Sequence, residues 1–218
     1  MITTGIEVFL AGIDAYRKKR IALIANQTAV TGTFRYLWDE MRRLGVPPVR
    51  IFSPEHGIFG TEQDQDPVNG QNVRGIEVVS LYGSTSDSLV PDGRYFKDID
   101  CIVYDIQDVG ARYYTYVNTM ALCMKALSGS GIEFVVLDRP NPLGGVEAEG
   151  PPLRGEYGSF VGVFPVPVRH GLTAGELALL YRDTESLDLS VTVVMMNGWE
   201  RDMYYDDAGL PWVPPSPN

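Results

Sequence analysis

The chain has 218 residues, of which 44% are hydrophobic and 21% are charged, and this length and composition suit one large α/β domain or a domain with a small appendage. Its 28 Asp and Glu outnumber its 18 Lys and Arg, for a formal net charge of -10, so we expect no nucleic-acid partner bound through phosphates. It contains no apolar run of about 18 residues and no leader with basic and apolar regions. The sequence therefore predicts neither a membrane span nor a signal peptide.

Short apolar segments alternate with segments of helical periodicity along the chain. The predicted strands are residues 20–25, 49–52, 76–81, 100–104, 134–137 and 191–195. The predicted helices are residues 33–44, 113–127 and 173–181, the last of which begins at a capping box formed by Thr173 and Glu176. This alternation indicates an α/β fold, in which a doubly wound, mainly parallel sheet of about six strands has helices on both faces.

Polar side chains follow most of the predicted strands at their carboxyl ends. They are Asn26, Glu55, His56, Tyr82, Asp105, Gln107, Asp108, Asp138 and Arg139. In a parallel sheet these ends meet at one edge, which is where open α/β sheets bind ligands. We expect the strand before Pro54 to lie side by side and parallel with the strand before Asp105, so that Glu55 faces Asp105 and Asp108. About half of these polar residues are expected to cap helices or to bond within loops, a role for which Glu55 is too long.

The motifs that are absent narrow the possible chemistry. The sequence has no G-x-G-x-x-G after a strand, no P-loop, no Cys-x-x-Cys and no G-x-S-x-G, so we predict no nucleotide cofactor and no serine nucleophile. A metal site is left as an alternative, built from Asp105, Asp108 and a distant histidine. Glycoside cleavage needs a protonated carboxylic acid and a second group, either a carboxylate or the N-acetyl oxygen of the substrate. Glu55 as the acid, with Asp105 or Asp108 opposite, supplies these parts.

Several further side chains have two interpretations. Arginines pair with the strand-end carboxylates or hold a carboxylate of the substrate, and the candidates are Arg112, Arg139 and Arg169. Tyrosines pack in the core or stack on a sugar ring, and the candidates are Tyr113, Tyr114 and Tyr116. For His170 the sequence favours a loop histidine bonded to the backbone. The two cysteines, Cys101 and Cys123, are expected to be small buried apolar groups.

The end of the sequence is rich in proline. Residues 212–218 carry three prolines, a composition that excludes a helix or a central strand. We predict one domain over residues 1–210 and a Pro-rich linker over residues 211–218 that leads to a C-terminal domain.

Six motifs in the chain resemble, in the same order, those of the bacterial exo-β-N-acetylmuramidases, formerly catalogued as domain of unknown function 1343. The motifs are SPEHGIFG, SLYG, DIQDVGARYYTY, LDRPNPLGG, PVRHGLTAGELA and WVPPSPN. The resemblance implies a Rossmann-like N-terminal domain, a smaller C-terminal domain and an active site in the cleft between them. It also implies release of N-acetylmuramic acid from the non-reducing ends of peptidoglycan fragments. Members are commonly exported, which leaves the compartment open between an exported and a cytoplasmic location.

The resemblance places the family's catalytic glutamate at Glu55, with His56, Asp105 and Asp108 lining the same cleft. We expect the sugar substrate to be bound by residues from several strand ends and loops, namely Asn26, Tyr82, Gln107, Arg112, Tyr114, Arg139, Asn141 and His170. No cofactor is predicted, and the sequence indicates no oligomeric state. The competing hypotheses are a noncatalytic module that binds cell-wall sugars and a metal-dependent hydrolase.

Overall fold

The computed structural model describes residues 2–61, 72–81, 92–159 and 162–216. In these ranges the strands are β1 (Ile21–Ala25), β2 (Arg50–Ser53), β3 (Asn72–Val73), β4 (Ile76–Ser80), β5 (Cys101–Asp105), β6 (Glu133–Leu137) and β7 (Val191–Val194). The helices are α1 (Gly5–Ala11), α2 (Leu37–Arg43), α3 (Thr115–Leu127), α4 (Ala174–Thr184) and α5 (Tyr205–Ala208). Short 3₁₀ turns lie at Ile13–Tyr16, Gly93–Phe96 and Gly155–Tyr157. All six predicted strands and all three predicted helices are present, with helix α2 shorter than expected.

The sheet is doubly wound. Its strand order is β3-β4-β2-β1-β5-β6-β7, and every neighbouring pair is parallel except β3 with β4. If the short antiparallel β3 is left out and the six parallel strands are numbered 1 to 6 along the chain, their order across the sheet is 3-2-1-4-5-6, which is the arrangement of Rossmann folds. The predicted fold class is confirmed, and the count is seven strands rather than six because β3 has two residues, too few to show a periodic pattern.

One expectation about the sheet is wrong. Strands β2 and β5 run in the same direction, as predicted, but β1 lies between them. Because neighbouring strands are about 4.8 Å apart, the ends of β2 and β5 are separated by roughly 10 Å. The crossover connections of a parallel sheet decide which strands become neighbours, and local sequence patterns do not show this. As a result, Asn26 at the end of β1 stands between Glu55 and Asp105.

The two faces of the sheet are covered by different helices. Leu23 and Val103 point to the face that α1 and α2 cover. There they share one core with Phe9 of α1 and with Trp38 and Met41 of α2. The alternate residues of the same strands point to the other face, where α3 and α4 complete a second core. Full burial on both sides explains why β1 reads as the continuous apolar run IALIA. None of the helices in the described part of the chain has the length and apolarity needed to cross a bilayer.

Helix α1 begins against the carboxyl end of the sheet. The amide of Gly5 donates to the carbonyl of Asp138 at 2.8 Å, directly after β6. A Cβ atom on Gly5 would stand 2.3 Å from the backbone nitrogen of Asp138, so a side chain has no room at this contact. Glycine is therefore required here by the close approach of two backbones.

Candidate functional site

The SPEHG motif forms a tight turn at the end of β2. The amide of Gly57 donates to the carbonyl of Pro54 at 3.1 Å, and both His56 and Gly57 have left-handed backbones with φ of 65° and 74°. A non-glycine residue in this region costs about 1–3 kcal/mol, and such residues cluster at active sites and ligand-binding sites. The turn leaves Glu55 partly exposed at the carboxyl edge of the sheet.

Glu55 lies at the amino end of helix α3. The hydroxyl of Thr115, the first residue of that helix, donates to Glu55 Oε2 at 2.7 Å. The free amide groups at a helix start also attract negative charge to this position. The two residues share an open groove of about 250 Å³, whose lining is Glu55, His56, Tyr113, Tyr114, Thr115, Tyr116 and Ser216. Tyr113 is 67% exposed, so one aromatic face is available to a ligand.

The crevice between the ends of β1 and β5 is covered by the Pro-rich end of the chain. We call residues 210–216 the strap. Gln27, which follows β1, donates from Nε2 to the carbonyls of Pro214 and Pro215 at 3.0 and 2.9 Å. Beneath the strap lies a cavity of about 20 Å³, with Thr28, Gln107 and Arg139 among its lining residues, which is room for about one water molecule.

Doubly wound folds bind their ligands in this crevice, because it is where the strand order reverses. In this structure the strap fills that crevice. The groove that contains Glu55 lies beside it, between the end of the neighbouring strand β2 and the start of α3. The segment predicted as a linker is therefore packed against the sheet edge over its described residues.

Asp105 is bound to Arg139 in a buried ion pair. Arg139 donates from Nε to Asp105 Oδ1 at 2.6 Å and from a terminal nitrogen to Oδ2 at 2.9 Å. The same terminal nitrogen donates to the carbonyl of Val30. Burial raises the pKa of Asp105, and the guanidinium opposes that rise. Asp105 was predicted to be catalytic, and for Arg139 the sequence left open whether it pairs with a strand-end carboxylate or holds the substrate. In the structure it pairs with Asp105.

Asp108 and His170 form a second buried pair. Asp108 Oδ2 accepts the amide of Gly110 at 2.9 Å and lies 3.2 Å from His170 Nε2. The other ring nitrogen of His170 accepts the amide of Leu172 at 3.1 Å, which places the proton of the neutral ring on Nε2, towards Asp108. Oδ1 of Asp108 is buried and has no hydrogen-bond partner in the part of the chain that the structure describes.

Four more predicted residues are buried and bind protein groups. Asn26 accepts the amide and hydroxyl of Thr28, and Gln107 donates to the carbonyls of Asp108 and Pro140 at 2.8 Å. The other two tie loops together: Arg112 donates to the carbonyls of Pro151 and Val166, and Asn141 donates to that of Leu172. These contacts shape the edge of the sheet beside the groove.

The remaining candidates differ in position. Tyr114, which was predicted to bind the substrate, lines the groove next to Glu55. Arg169 donates to Glu149 and to the carbonyl of Leu143. Tyr82 lies outside the described residues. Among those residues, no three His, Cys, Asp or Glu side chains come together as a metal site.

Three residues of the site were missed from the sequence, namely Gln27, Thr115 and Ser216. Gln27 stands directly after the strand-end residue Asn26, and Thr115 lies within the motif that supplies the tyrosines. Both residues were therefore adjacent to candidates that the sequence did indicate, namely Asn26 and Tyr114. Ser216 gave no signal, because its place in the groove depends on how the strap folds back.

A family model described as "Exo-beta-N-acetylmuramidase NamZ, N-terminal" matches residues 21–218. The chain belongs to this family. Within it, the peptidoglycan β-N-acetylmuramidase NamZ of Bacillus subtilis (strain 168) is 44% identical over 221 residues, which cover 100% of this chain and 53% of that protein. The predicted resemblance is thus confirmed.

Two crystal structures of DUF1343 family proteins from Bacteroides fragilis share the fold. One superposes with a TM-score of 0.88 at 40% identity and covers 99% of this chain and 55% of the other. The second has a TM-score of 0.80 at 33% identity and covers 94% and 54%. The chain therefore spans about half the length of the relatives it matches.

Proposed function

We propose that this chain carries the catalytic part of an exo-acting glycoside hydrolase. The enzyme releases N-acetylmuramic acid from the non-reducing ends of peptidoglycan fragments, and Glu55 is its general acid. The observation that carries this proposal is the position of Glu55 in the open groove, held by Thr115 beside the exposed Tyr113 and the partly exposed Tyr114. The name of the Bacillus subtilis relative, a peptidoglycan β-N-acetylmuramidase, supports the substrate class.

The groove fits the chemistry of glycoside cleavage. The acid must deliver a proton to the leaving oxygen, so its carboxyl group has to be accessible and fixed in direction. Glu55 meets both requirements, whereas Asp105 and Asp108 are buried. The faces of Tyr113 and Tyr114 offer apolar surfaces on which a sugar ring stacks.

The second catalytic group is narrowed to two candidates. Asp105 binds Arg139 with both of its oxygens and is therefore unsuited to the role. Asp108 keeps one oxygen without a partner among the described residues, next to His170. The other candidate is the N-acetyl oxygen of the substrate itself, which requires no second carboxylate.

We further propose that residues 1–210 form the catalytic domain and that residues 211–218 lead to a C-terminal domain. The length of the relatives, about twice that of this chain, supports this division. In this arrangement the C-terminal domain forms the opposite wall of the cleft above the groove.

Replacing Glu55 with Gln in the full-length gene product tests the catalytic assignment. A chromogenic β-glycoside of N-acetylmuramic acid is the substrate, and kcat is expected to fall by about 10²–10⁴, the usual contribution of a general acid. Glu156→Gln is the matched control, because Glu156 is exposed in a 3₁₀ turn and does not line the groove, and its turnover should be that of the wild type.

Two results would contradict the proposal. Undiminished turnover of a folded Glu55→Gln variant would remove Glu55 from the mechanism. A wild-type protein that binds N-acetylmuramic acid in calorimetry but does not cleave the glycoside would instead be a sugar-binding module.

A further inference from the structure

The strap crosses the sheet edge without forming a strand, because its composition prevents it. Proline has no backbone N–H, so Pro211, Pro214 and Pro215 cannot donate to a ladder. Their carbonyl oxygens remain as the means of attachment. Side chains of the domain supply the donors, and Pro215 is buried where they meet it.

Three side chains hold the strap. At its start, the hydroxyl of Tyr205 donates to the carbonyl of Pro211 at 3.0 Å. At its end, the hydroxyl of Tyr116 donates to the carbonyl of Pro215 at 2.7 Å, and Gln27 Nε2 donates to Pro214 and Pro215. Two independent donors therefore meet at the carbonyl of Pro215, the residue before Ser216.

The two donors at the end of the strap are connected to the supports of Glu55. Tyr116 follows Thr115 in helix α3, and Thr115 holds the carboxyl group of Glu55. Gln27 packs against Gly60, which follows the Glu55 turn in the chain; a Cβ atom on Gly60 would stand 2.6 Å from the Gln27 amide carbon. The side chain of Gln27 thus lies between the loop that carries Glu55 and the strap.

We propose that Gln27 and Tyr116 are positioning residues for the reaction at Glu55. They hold the end of the strap so that Ser216 forms part of the groove wall and contacts the bound sugar. This inference rests on the proposed function, because it assigns the strap a role in binding the substrate of that reaction. Gln27 does not line the groove, and the hydroxyl of Tyr116, which does line it, is bonded to the carbonyl of Pro215.

The test uses the variants Gln27→Glu and Tyr116→Phe of the full-length protein. Glu keeps the shape of Gln but turns a donor into a charged acceptor facing two carbonyls, and Phe removes one hydroxyl. The loss of a hydrogen bond of this kind corresponds to roughly a tenfold change in an equilibrium. We expect KM for the muramic acid glycoside to rise about five- to tenfold, with kcat changed by less than about twofold.

Hydrogen exchange of the peptide that contains the strap provides a readout independent of catalysis. The amides of Trp212, Val213 and Ser216 should exchange faster in both variants than in the wild type. Tyr157→Phe is the matched control, because Tyr157 is 66% exposed and distant in sequence from the strap, and it should change neither KM nor exchange.

The outcomes separate the inference from the proposed function. Unchanged exchange in folded variants would overturn the anchoring role, and faster exchange with unchanged KM would show that the strap does not form the groove wall. A fall in kcat with KM constant would also contradict a binding role for the strap. If the wild type has no glycosidase activity, the proposed function fails. In that case the Kd for N-acetylmuramic acid replaces KM as the measure of the groove wall.

Discussion

The replacement Arg139→Met distinguishes a structural ion pair from a substrate-binding arginine. Arg139 binds both oxygens of Asp105, and the two side chains are 7% and 0% exposed. Removing one partner of such a pair leaves an uncompensated buried charge, which costs about 3–5 kcal/mol. Domains of this kind are stable by about 5–15 kcal/mol in total, so the variant should lose a large part of its free energy of unfolding.

Urea denaturation followed by circular dichroism measures this loss. Adding Asp105→Asn to Arg139→Met removes the stranded charge, and we expect the double variant to regain about 1–3 kcal/mol over the single one. The single Asp105→Asn variant completes the cycle and yields the coupling energy of the pair. The m-value should stay constant across the four proteins if the denatured state is unchanged.

The pH dependence has a definite sign. Burial already raises the folded-state pKa of Asp105 in the wild type, and in Arg139→Met the guanidinium no longer opposes this effect, so the pKa rises further above its unfolded value of about 3.9. The folded state then prefers the protonated carboxyl group. The destabilisation caused by the ionised Asp105 is absent below the unfolded pKa of this group, and it develops as the pH rises through the folded pKa.

The variant should therefore be closest to the wild type near pH 4 and furthest from it near pH 8. A loss below about 1 kcal/mol at pH 8, with no dependence on pH, would refute the buried, charged pair and reopen a role for Arg139 in binding substrate.

Three further predictions concern the core and the sheet edge. Burial raises the pKa of Asp138 to about 6, so the folded protein favours the neutral carboxyl group. The stability of the wild type relative to Asp138→Asn should therefore fall by roughly 2–2.5 kcal/mol as the pH rises from 4 to 8 in urea titrations, and a constant difference would contradict the shift. Gly5→Ala should lower the free energy of unfolding by about 1–3 kcal/mol, because the new Cβ would lie 2.3 Å from a backbone atom. The control Gly12→Ala, whose closest contact would be at 3.7 Å, should be close to neutral, and equal melting temperatures of the two variants would refute the close approach at Gly5. Burial raises the pKa of Cys101 to about 12 and that of Cys123 still further. Neither thiol should therefore react with a disulfide reagent at pH 8 until urea unfolds the protein. Rapid labelling of the native protein would show instead that the thiols are accessible.

Part of the site could be predicted because its signals are local. The run before Pro54 and the turn residues after it indicate a buried strand that ends at Glu55, and the structure has that strand and that turn. Which polar residues bind one another was not predictable in this way. Asp105 and Arg139 are 34 residues apart, and Asp108 meets a histidine from another loop, so their pairing depends on how the crossovers arrange the strands. The same strand-end pattern therefore contained two groove residues, Glu55 and His56, the buried pair of Asp105 and Arg139, and residues such as Gln107 that bond to loop carbonyls.

The sequence by itself determined six of the seven strands in the described residues, their parallel arrangement and the loop that presents Glu55, because apolar runs, turn residues and helix caps act between near neighbours in the chain. The tertiary structure decided that β1 stands between β2 and β5, that Asp105 binds Arg139 and Asp108 lies against His170, and that the strap closes the crevice. The bonds from Gln27 to the strap span 187 and 188 residues, and no local preference encodes a contact of that range. Such contacts form when the chain's crossovers bring distant donors to carbonyl groups that proline leaves without a ladder.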